Sequence, residues 1–288
     1  MKRKLLSTDL RVLEAIQMYQ SGVTFKGVLK HFRMDGASLN KFLLEKGIKK
    51  TRSEQVRKGK GVLRLKDEAF DLLTPEALYW IGFLYADGHI EKEPRPRISL
   101  SLAEKDRDHL NKLNLFIGGD LKIREVFITG KQESRGQINF DGRYYRAAFS
   151  SRRIYDKLVS LGFTHNKTYD LVPHRLLKDS RDFWRGVVDG DGWICMSGDK
   201  RAEGKYNYPI IGLSGTDETI KDFLYFVKLS GVATKAESSK KKGEVWQVDL
   251  HNTPAKQVLT LLYKDAPVYL DRKFKMYQQI IESPQPVS

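Results

Sequence analysis

Two stretches decide how this chain is read: WIGFLYADGHI, Trp80–Ile90, and WRGVVDGDGWI, Trp184–Ile194. Each runs Trp, then Gly two residues on, then Asp-Gly, then Ile, and Asp87 and Asp191 stand 104 residues apart. Both stretches have the apolar content of a helix, and Thr74-Pro75 and Ser180 supply caps for their starts. Each helix would then end on a carboxylate, which opposes the negative end of the helix dipole and costs stability. Gly82 and Ala86 are four residues apart, as are Gly186 and Gly190. Residues at that spacing share one helix face. The two helices therefore each carry a stripe of small side chains, on which two backbones can approach closely. Packed on each other about a pseudo-twofold axis, they would bring Asp87 and Asp191 together at one end.

The sequence around these helices is duplicated. After Gly88, the segments HI and RISLSL alternate as strands do, EKDRDHLNKLNLFIGG is an amphipathic helix, LKIREVFI and YYRAAF are strand candidates, and SRRIYDKLVSLGF is a helix. After Gly192 come WICM and PIIGLSG, then DETIKDFLYFVKLSG, then ATKAESS and EVWQVDL, then TPAKQVLTLLY. Gly118 and Gly231 close matching helices at an offset of 113, so the second copy holds about nine extra residues. They fall in SGDKRAEGKYNY, which reads as a hairpin loop. The expected fold is α+β, a pseudo-twofold duplicated αββαββα unit over residues 70–172 and 173–288.

Residues 1–50 read as a separate domain of three short helices. Leu10, Leu13 and Ile16 recur at helical spacing after Ser7 or Thr8, TFKGVLKHF follows Thr24, and ASLNKFLLEKG comes after the turn MDG. A tight turn before the last helix is the pattern of a helix-turn-helix, in which that helix reads DNA. Ser38, Asn40 and Lys41 lie near its start, away from the apolar face. Residues 51–69 form a basic linker, with Lys50 and Arg52 at its start suited to phosphate contacts.

Composition narrows the chemistry. Lys and Arg number 51 against 36 Asp and Glu, a net charge of +15, which favours a polyanionic partner. Cys195 is the one cysteine, so no intrachain disulfide forms and a reducing compartment fits. One Cys and six His supply no zinc spacing. No apolar run reaches the roughly 20 residues of a membrane span, and the basic start lacks the apolar core of a secretory leader. Two carboxylates at adjoining helix ends call for divalent cations, and hard cations such as Mg²⁺ prefer such oxygens. Two carboxylates bridging metals beside a phosphate can activate water and stabilise the leaving oxygen of a phosphodiester.

WIGFLYADG and WRGVVDGDG resemble the two signature helices of the single-chain LAGLIDADG homing endonucleases, and the resemblance extends over residues from about 70 to 282. It implies saddle-shaped four-stranded antiparallel sheets over the DNA major groove and cleavage across the minor groove with short 3′ overhangs. It implies metal binding at Asp87 and Asp191, with Gly88 and Gly192 beside them. Mg²⁺ is the expected ion, with Mn²⁺ able to substitute and Ca²⁺ able to bind without turnover. The family also places a basic residue after the last helix of each half, and THNKT and LDRKF put Lys167 and Lys273 there as catalytic candidates. The expected partner is double-stranded DNA with a long asymmetric site, bound by a monomer in the cytoplasm, beside the nucleoid, or in an organelle. Tyr85 departs from the signature where Asp189 keeps its acid, a position that is usually structural. Trp80, Trp184 and Arg185 also depart from it, and the helix-turn-helix lies outside the family core, resembling that of resolvase-type recombinases.

If Ile98, Leu100 and Leu102 face the core, strand alternation turns Arg97, Ser99 and Ser101 to DNA. The same rule selects Lys122 and Arg124, and Gln247 and Asp249. Two other activities remain compatible with this fold: a DNA-binding regulator that has lost cleavage, against which the paired aspartates argue, and an RNA maturase acting on intron RNA. An intein-borne nuclease is not expected, because the lone Cys is internal and the sequence ends PQPVS.

Overall fold

A computed structural model describes residues 10–20, 25–45, 65–92, 95–119, 121–132, 138–164, 173–198, 207–240 and 245–282. The chain divides into two compact units, residues 1–64 and 65–288.

The first unit contains α1 (Leu10–Gln20), α2 (Phe25–Phe32) and α3 (Gly36–Glu45). Val12, Ala15, Ile16, Val28, Leu39, Phe42 and Leu43 form its core. Helix α3 starts one residue before the expected Ala37, because the Asp35 carboxylate accepts hydrogen bonds from the backbone N–H and hydroxyl of Ser38, at 3.0 and 3.2 Å. A short acid before a helix satisfies an amide that has no partner inside it. The expected caps Ser7, Thr8 and Thr24 lie outside the described residues, as do Lys50 and Arg52.

The second unit is α+β and runs twice through αββαββα. The first copy is α4 (Pro75–Asp87), β1 (Gly88–Glu91), β2 (Arg97–Ala103), α5 (Arg107–Phe116), β3 (Arg124–Gln132), β4 (Ile138–Phe149) and α6 (Arg152–Ser160). A short helix α7 (Arg175–Lys178) precedes the second copy, which is α8 (Arg181–Asp191), β5 (Gly192–Gly198), β6 (Asn207–Gly215), α9 (Asp217–Leu229), β7 (Ser239–Lys240), β8 (Trp246–His251) and α10 (Asn252–Tyr263). A last helix, α11 (Asp271–Glu282), follows. Each copy forms a four-stranded antiparallel sheet, in the orders β1-β2-β4-β3 and β5-β6-β8-β7. Hydroxyls cap the helices where the sequence offers them: Thr74 bonds the Ala77 amide, Ser151 that of Ile154, Ser180 that of Phe183 and Thr216 that of Thr219.

Strand alternation holds except at Ser99, which is buried with Ile98 and Leu100 on either side. Ile98, Leu100, Leu102, Tyr145, Ala147 and Phe149 are buried in the first half, and Ile211, Leu213, Val248 and Leu250 in the second. One strand starts later than expected and another is shorter, each because a side chain takes up backbone groups that a strand would pair. The Asn114 side chain accepts from the Leu121 amide at 2.7 Å and donates to the Leu121 carbonyl at 3.4 Å, and β3 begins only at Arg124. The Thr234 hydroxyl accepts from the Ala236 amide, and only Ser239–Lys240 of that region pairs as a strand. Among the described residues no helix is long and apolar enough to cross a membrane.

Candidate active site and nucleic-acid surface

Helices α4 and α8 touch backbone to backbone. A Cβ placed on Gly82 would fall 2.1 Å from the Phe183 carbonyl oxygen, and one on Gly186 would fall 2.1 Å from that of Tyr79. No side chain fits at either contact. Further along the stripe, a Cβ on Gly190 would meet the methyl of Ala86 at 2.3 Å and Asp87 Oδ2 at 3.4 Å. The carboxylate of Asp87 thus lies against the end of the helix that carries Asp191. Asp87 and Asp191 are the last residues of their helices, and both are exposed. Gly88 and Gly192 follow as the first residues of β1 and β5, so each helix passes into its strand with no intervening loop.

Lys273, on α11, is buried against this end. Its ammonium donates to the carbonyls of Val188, Asp189 and Gly192 at 2.5, 2.8 and 2.6 Å. These are carbonyls at and just past the end of α8, where the helix dipole is negative, and that of Val188 also accepts from the Gly192 amide. Gly192, expected beside the metal, therefore gives its carbonyl to Lys273. Burial lowers the Lys273 pKa to about 8, while Asp189, Asp87 and Asp191 hold it up through their charges. One cation thus faces both helix-end carboxylates while capping one helix. Lys167 lies outside the described residues.

Asp189 does different work from Asp191, two residues on. It is buried, and its carboxylate accepts from the Tyr263 hydroxyl at 2.6 Å, and from the Tyr79 hydroxyl and the Leu270 amide at 2.8 Å each. Burial raises its pKa, and Lys273 and the three hydrogen bonds oppose that rise. Since Tyr79 gives its single proton to Asp189, His109, 2.8 Å away, donates to the Tyr79 oxygen through Nε2. Burial lowers the His109 pKa to about 3, so its ring is neutral. Arg185 completes this buried frame. Its guanidinium donates to the carbonyls of Val268 at 2.8 Å and Leu262 at 3.0 Å and pairs with Asp182 at 2.7 Å. Asp189 and Arg185 together fasten the 262–270 segment, which delivers Lys273. Tyr85, the departure in the first helix, is also buried and shares a hydrogen bond of 2.8 Å with Thr219 on α9.

The structure brings the two expected aspartates, the small-residue stripe and Lys273 to one end of the helix pair. Tyr79, His109, Tyr263 and Leu270 were not among the expected residues, because their separations leave no periodic signal and for Leu270 the backbone alone takes part.

On the open faces of the sheets, Arg97 and Arg124 are exposed, Ser101 is half-buried and Ser99 is buried between its neighbours on β1 and β4. Lys122 is exposed just before β3 begins. Gln247 and Asp249 are half-buried on the open face of the second sheet, and Gln247 donates to the Ser214 hydroxyl at 2.8 Å. Two further open-face residues belong with these. Arg146 donates from Nε to the Ser101 hydroxyl at 2.9 Å. Trp193 lies across Gly212, where a Cβ would fall 2.2 Å from its indole. The alternation in YYRAAF, with Tyr145, Ala147 and Phe149 inward, already contained the signal for Arg146. In the first unit Lys41 is exposed, and Ser38 and Asn40 are half-buried on α3.

No protein-family profile matches the chain, and no curated protein matches it in sequence. Among solved structures, it is similar to the I-SmaMI LAGLIDADG homing endonuclease bound to cleaved DNA, at 14% identity over 73% of this chain and 88% of that one, with a TM-score of 0.48. It is also similar to the LAGLIDADG meganuclease I-AabMI bound to uncleaved DNA, at 15% identity over 73% and 89%, with a TM-score of 0.46.

Proposed function

We propose that the chain is a site-specific double-strand DNA endonuclease that hydrolyses phosphodiesters with divalent metal and leaves short 3′ overhangs. The observation that carries this reading is the convergence of Asp87 and Asp191 at one end of a helix pair locked at Gly82 and Gly186. Exposed carboxylates at two negative helix ends suit a hard cation, so Asp87 and Asp191 would hold the metal. Bound there, the metal would lower the pKa of a water nucleophile and stabilise the departing oxygen. Lys273 acts as a positioning residue, fixing the strand of carbonyls around Asp191. The open sheet faces would lie on DNA, with Arg97, Ser101, Lys122, Arg124, Gln247 and Asp249 as contacts, whereas burial removes the expected Ser99 from that set.

Residues 1–64 contain sixteen Lys or Arg against five Asp or Glu, so they carry +11 of the net +15. That distribution supports an accessory grip on flanking DNA through Ser38, Asn40, Lys41, Lys50 and Arg52. Residues 1–50 and 51–69 serve as reading domain and basic linker, and residues 70–172 and 173–288 as the two halves of a monomeric nuclease.

The test is selection from randomised duplexes in Ca²⁺, followed by exposure to Mg²⁺ and sequencing of the ends. Defined ends with 3′ overhangs, absent with EDTA, are the expected result. Asp87→Asn or Asp191→Asn abolishes cleavage and leaves selective binding intact. An enriched pool that is never cut would instead favour a non-cleaving regulator, and selective retention of RNA a maturase.

A further inference from the structure

The register of the two sheets makes one pair of side chains comparable across the duplication. Gly88 pairs with Leu100 and Gly192 with Leu213, so Ser101 and Ser214 hold equivalent places. Ser101 pairs with Arg146 and Ser214 with Gln247, which are therefore equivalent on the adjoining strands. In both halves the serine hydroxyl accepts a hydrogen bond from its neighbour, at 2.9 Å from Arg146 Nε and 2.8 Å from Gln247 Nε2. The duplication keeps the anchoring serine and changes what it anchors.

The two anchored groups offer different edges. With Nε–H given to Ser101, the guanidinium of Arg146 keeps its two terminal amino groups, a donor–donor fork that matches O6 and N7 of guanine. With one N–H given to Ser214, the Gln247 amide keeps its second N–H and its carbonyl, a donor–acceptor edge that matches N7 and N6 of adenine. The hydroxyl fixes each side chain in advance and so limits the entropy lost on contact.

The strand beyond differs in the same sense. Arg124 stands directly across from Arg146, whereas the residue across from Gln247 is Ser239. Like charges directly opposite in a sheet are destabilising, and an anionic or guanine-rich partner relieves them. A protein surface would have to supply acids at this spot, whereas duplex DNA presents phosphates and guanine acceptors together.

We infer that Arg146 and Gln247 are an equivalent pair of base readers, each oriented by its serine, and that they break the symmetry of the target: guanine opposite Arg146 and adenine at the pseudo-symmetric place opposite Gln247. This rests on the reading of the sheets as a DNA surface and deepens it.

The test is selection from randomised duplexes in Ca²⁺ with the full chain, its Arg146→Gln variant and its Gln247→Arg variant. Wild type selects a site with guanine at one position and adenine at its counterpart, each preferred about tenfold or more. Arg146→Gln changes the first position to adenine, Gln247→Arg changes the second to guanine, and each leaves the other position as it was. Ser101→Ala, which retains Arg146, weakens the guanine preference severalfold without changing the base. Variants that select the wild-type bases at both positions would overturn the inference while leaving the endonuclease reading intact. A wild-type chain that enriches no sequence would overturn both. Equal melting temperatures across the set show that these outcomes report recognition and not folding.

Discussion

At the residue scale, Lys273 and His109 show how burial is made tolerable in two different ways. Lys273 keeps its charge because three carbonyls take its three protons and three carboxylates lie near. Lys273→Met removes a donor from those carbonyls, of which Val188 keeps the Gly192 amide, and each buried group left without a partner costs about 1–3 kcal/mol. The expected result is a lower melting temperature and cleavage that falls at least tenfold while Ca²⁺-supported DNA binding persists. Cleavage should also decline as pH rises through about 8, where the ammonium loses its proton. A pH–rate profile measured on wild type checks this. His109 instead survives by staying neutral. Its folded pKa of about 3 lies below the ordinary value of 6.5, so between those values the unfolded chain binds the extra proton. The stability it confers is complete above about pH 6.5 and is lost as pH falls towards 3, at up to about 1.4 kcal/mol per unit. His109→Gln, which can still donate to Tyr79, should show a flatter decline in unfolding free energy below pH 6.5. Parallel profiles in the two proteins would contradict the assignment.

At the element scale, the contact between α4 and α8 depends on the absence of side chains at two positions. At Gly82 and Gly186 the obstacle to a methyl is a backbone carbonyl, which no rotamer change can move aside. Gly186→Ala must therefore separate the helices, at an expected cost of about 3 kcal/mol, the upper end for overpacked sites. Separation also moves Asp191 from Asp87, so denaturant unfolding and cleavage assays should both register it, with cleavage lost even where the variant remains folded. This stripe was legible in the sequence because a four-residue spacing of small residues has one geometric meaning on a helix. The short β7 and the late start of β3 were not. Alternation predicts which way a strand's residues would face, but not whether the side chain of Asn114 or Thr234 will occupy its backbone groups.

At the scale of the whole molecule, charge and folding are distributed differently. Residues 1–64 hold +11 of the +15, yet residues 65–288 form a compact unit with both sheets and both acidic helix ends. Removing residues 1–64 is expected to shift the melting temperature of the remainder by no more than a few degrees. It should weaken DNA binding and flatten its dependence on salt, because fewer phosphate contacts release fewer counterions. Affinity and salt slope equal to those of the full chain would refute the accessory grip. Within residues 65–288 the last helix links both copies. Arg272 binds Asp106 of the first copy at 2.9 and 3.0 Å, and Lys112 reaches Asp271 at 2.7 Å, while Lys273 caps the second copy's helix.

The duplication, the α+β order, the starts of α4 and α8 and the paired Asp-Gly ends were determined by the sequence itself, because each depends on residues close together in the chain or on a repeat at fixed offset. Small side chains at Gly82 and Gly186 likewise announced that two helices would meet. Only the tertiary structure decided what the neighbouring acids do. Asp189 and Asp191 are two residues apart on one helix, and a two-residue step turns them to different sides. One is buried against Tyr79, Tyr263 and Leu270, and the other is exposed beside Asp87. The donors that settle the fate of Asp189 come from two distant parts of the chain, Tyr79 and the segment 263–270, one of them a bare backbone amide, and no local pattern encodes such a meeting.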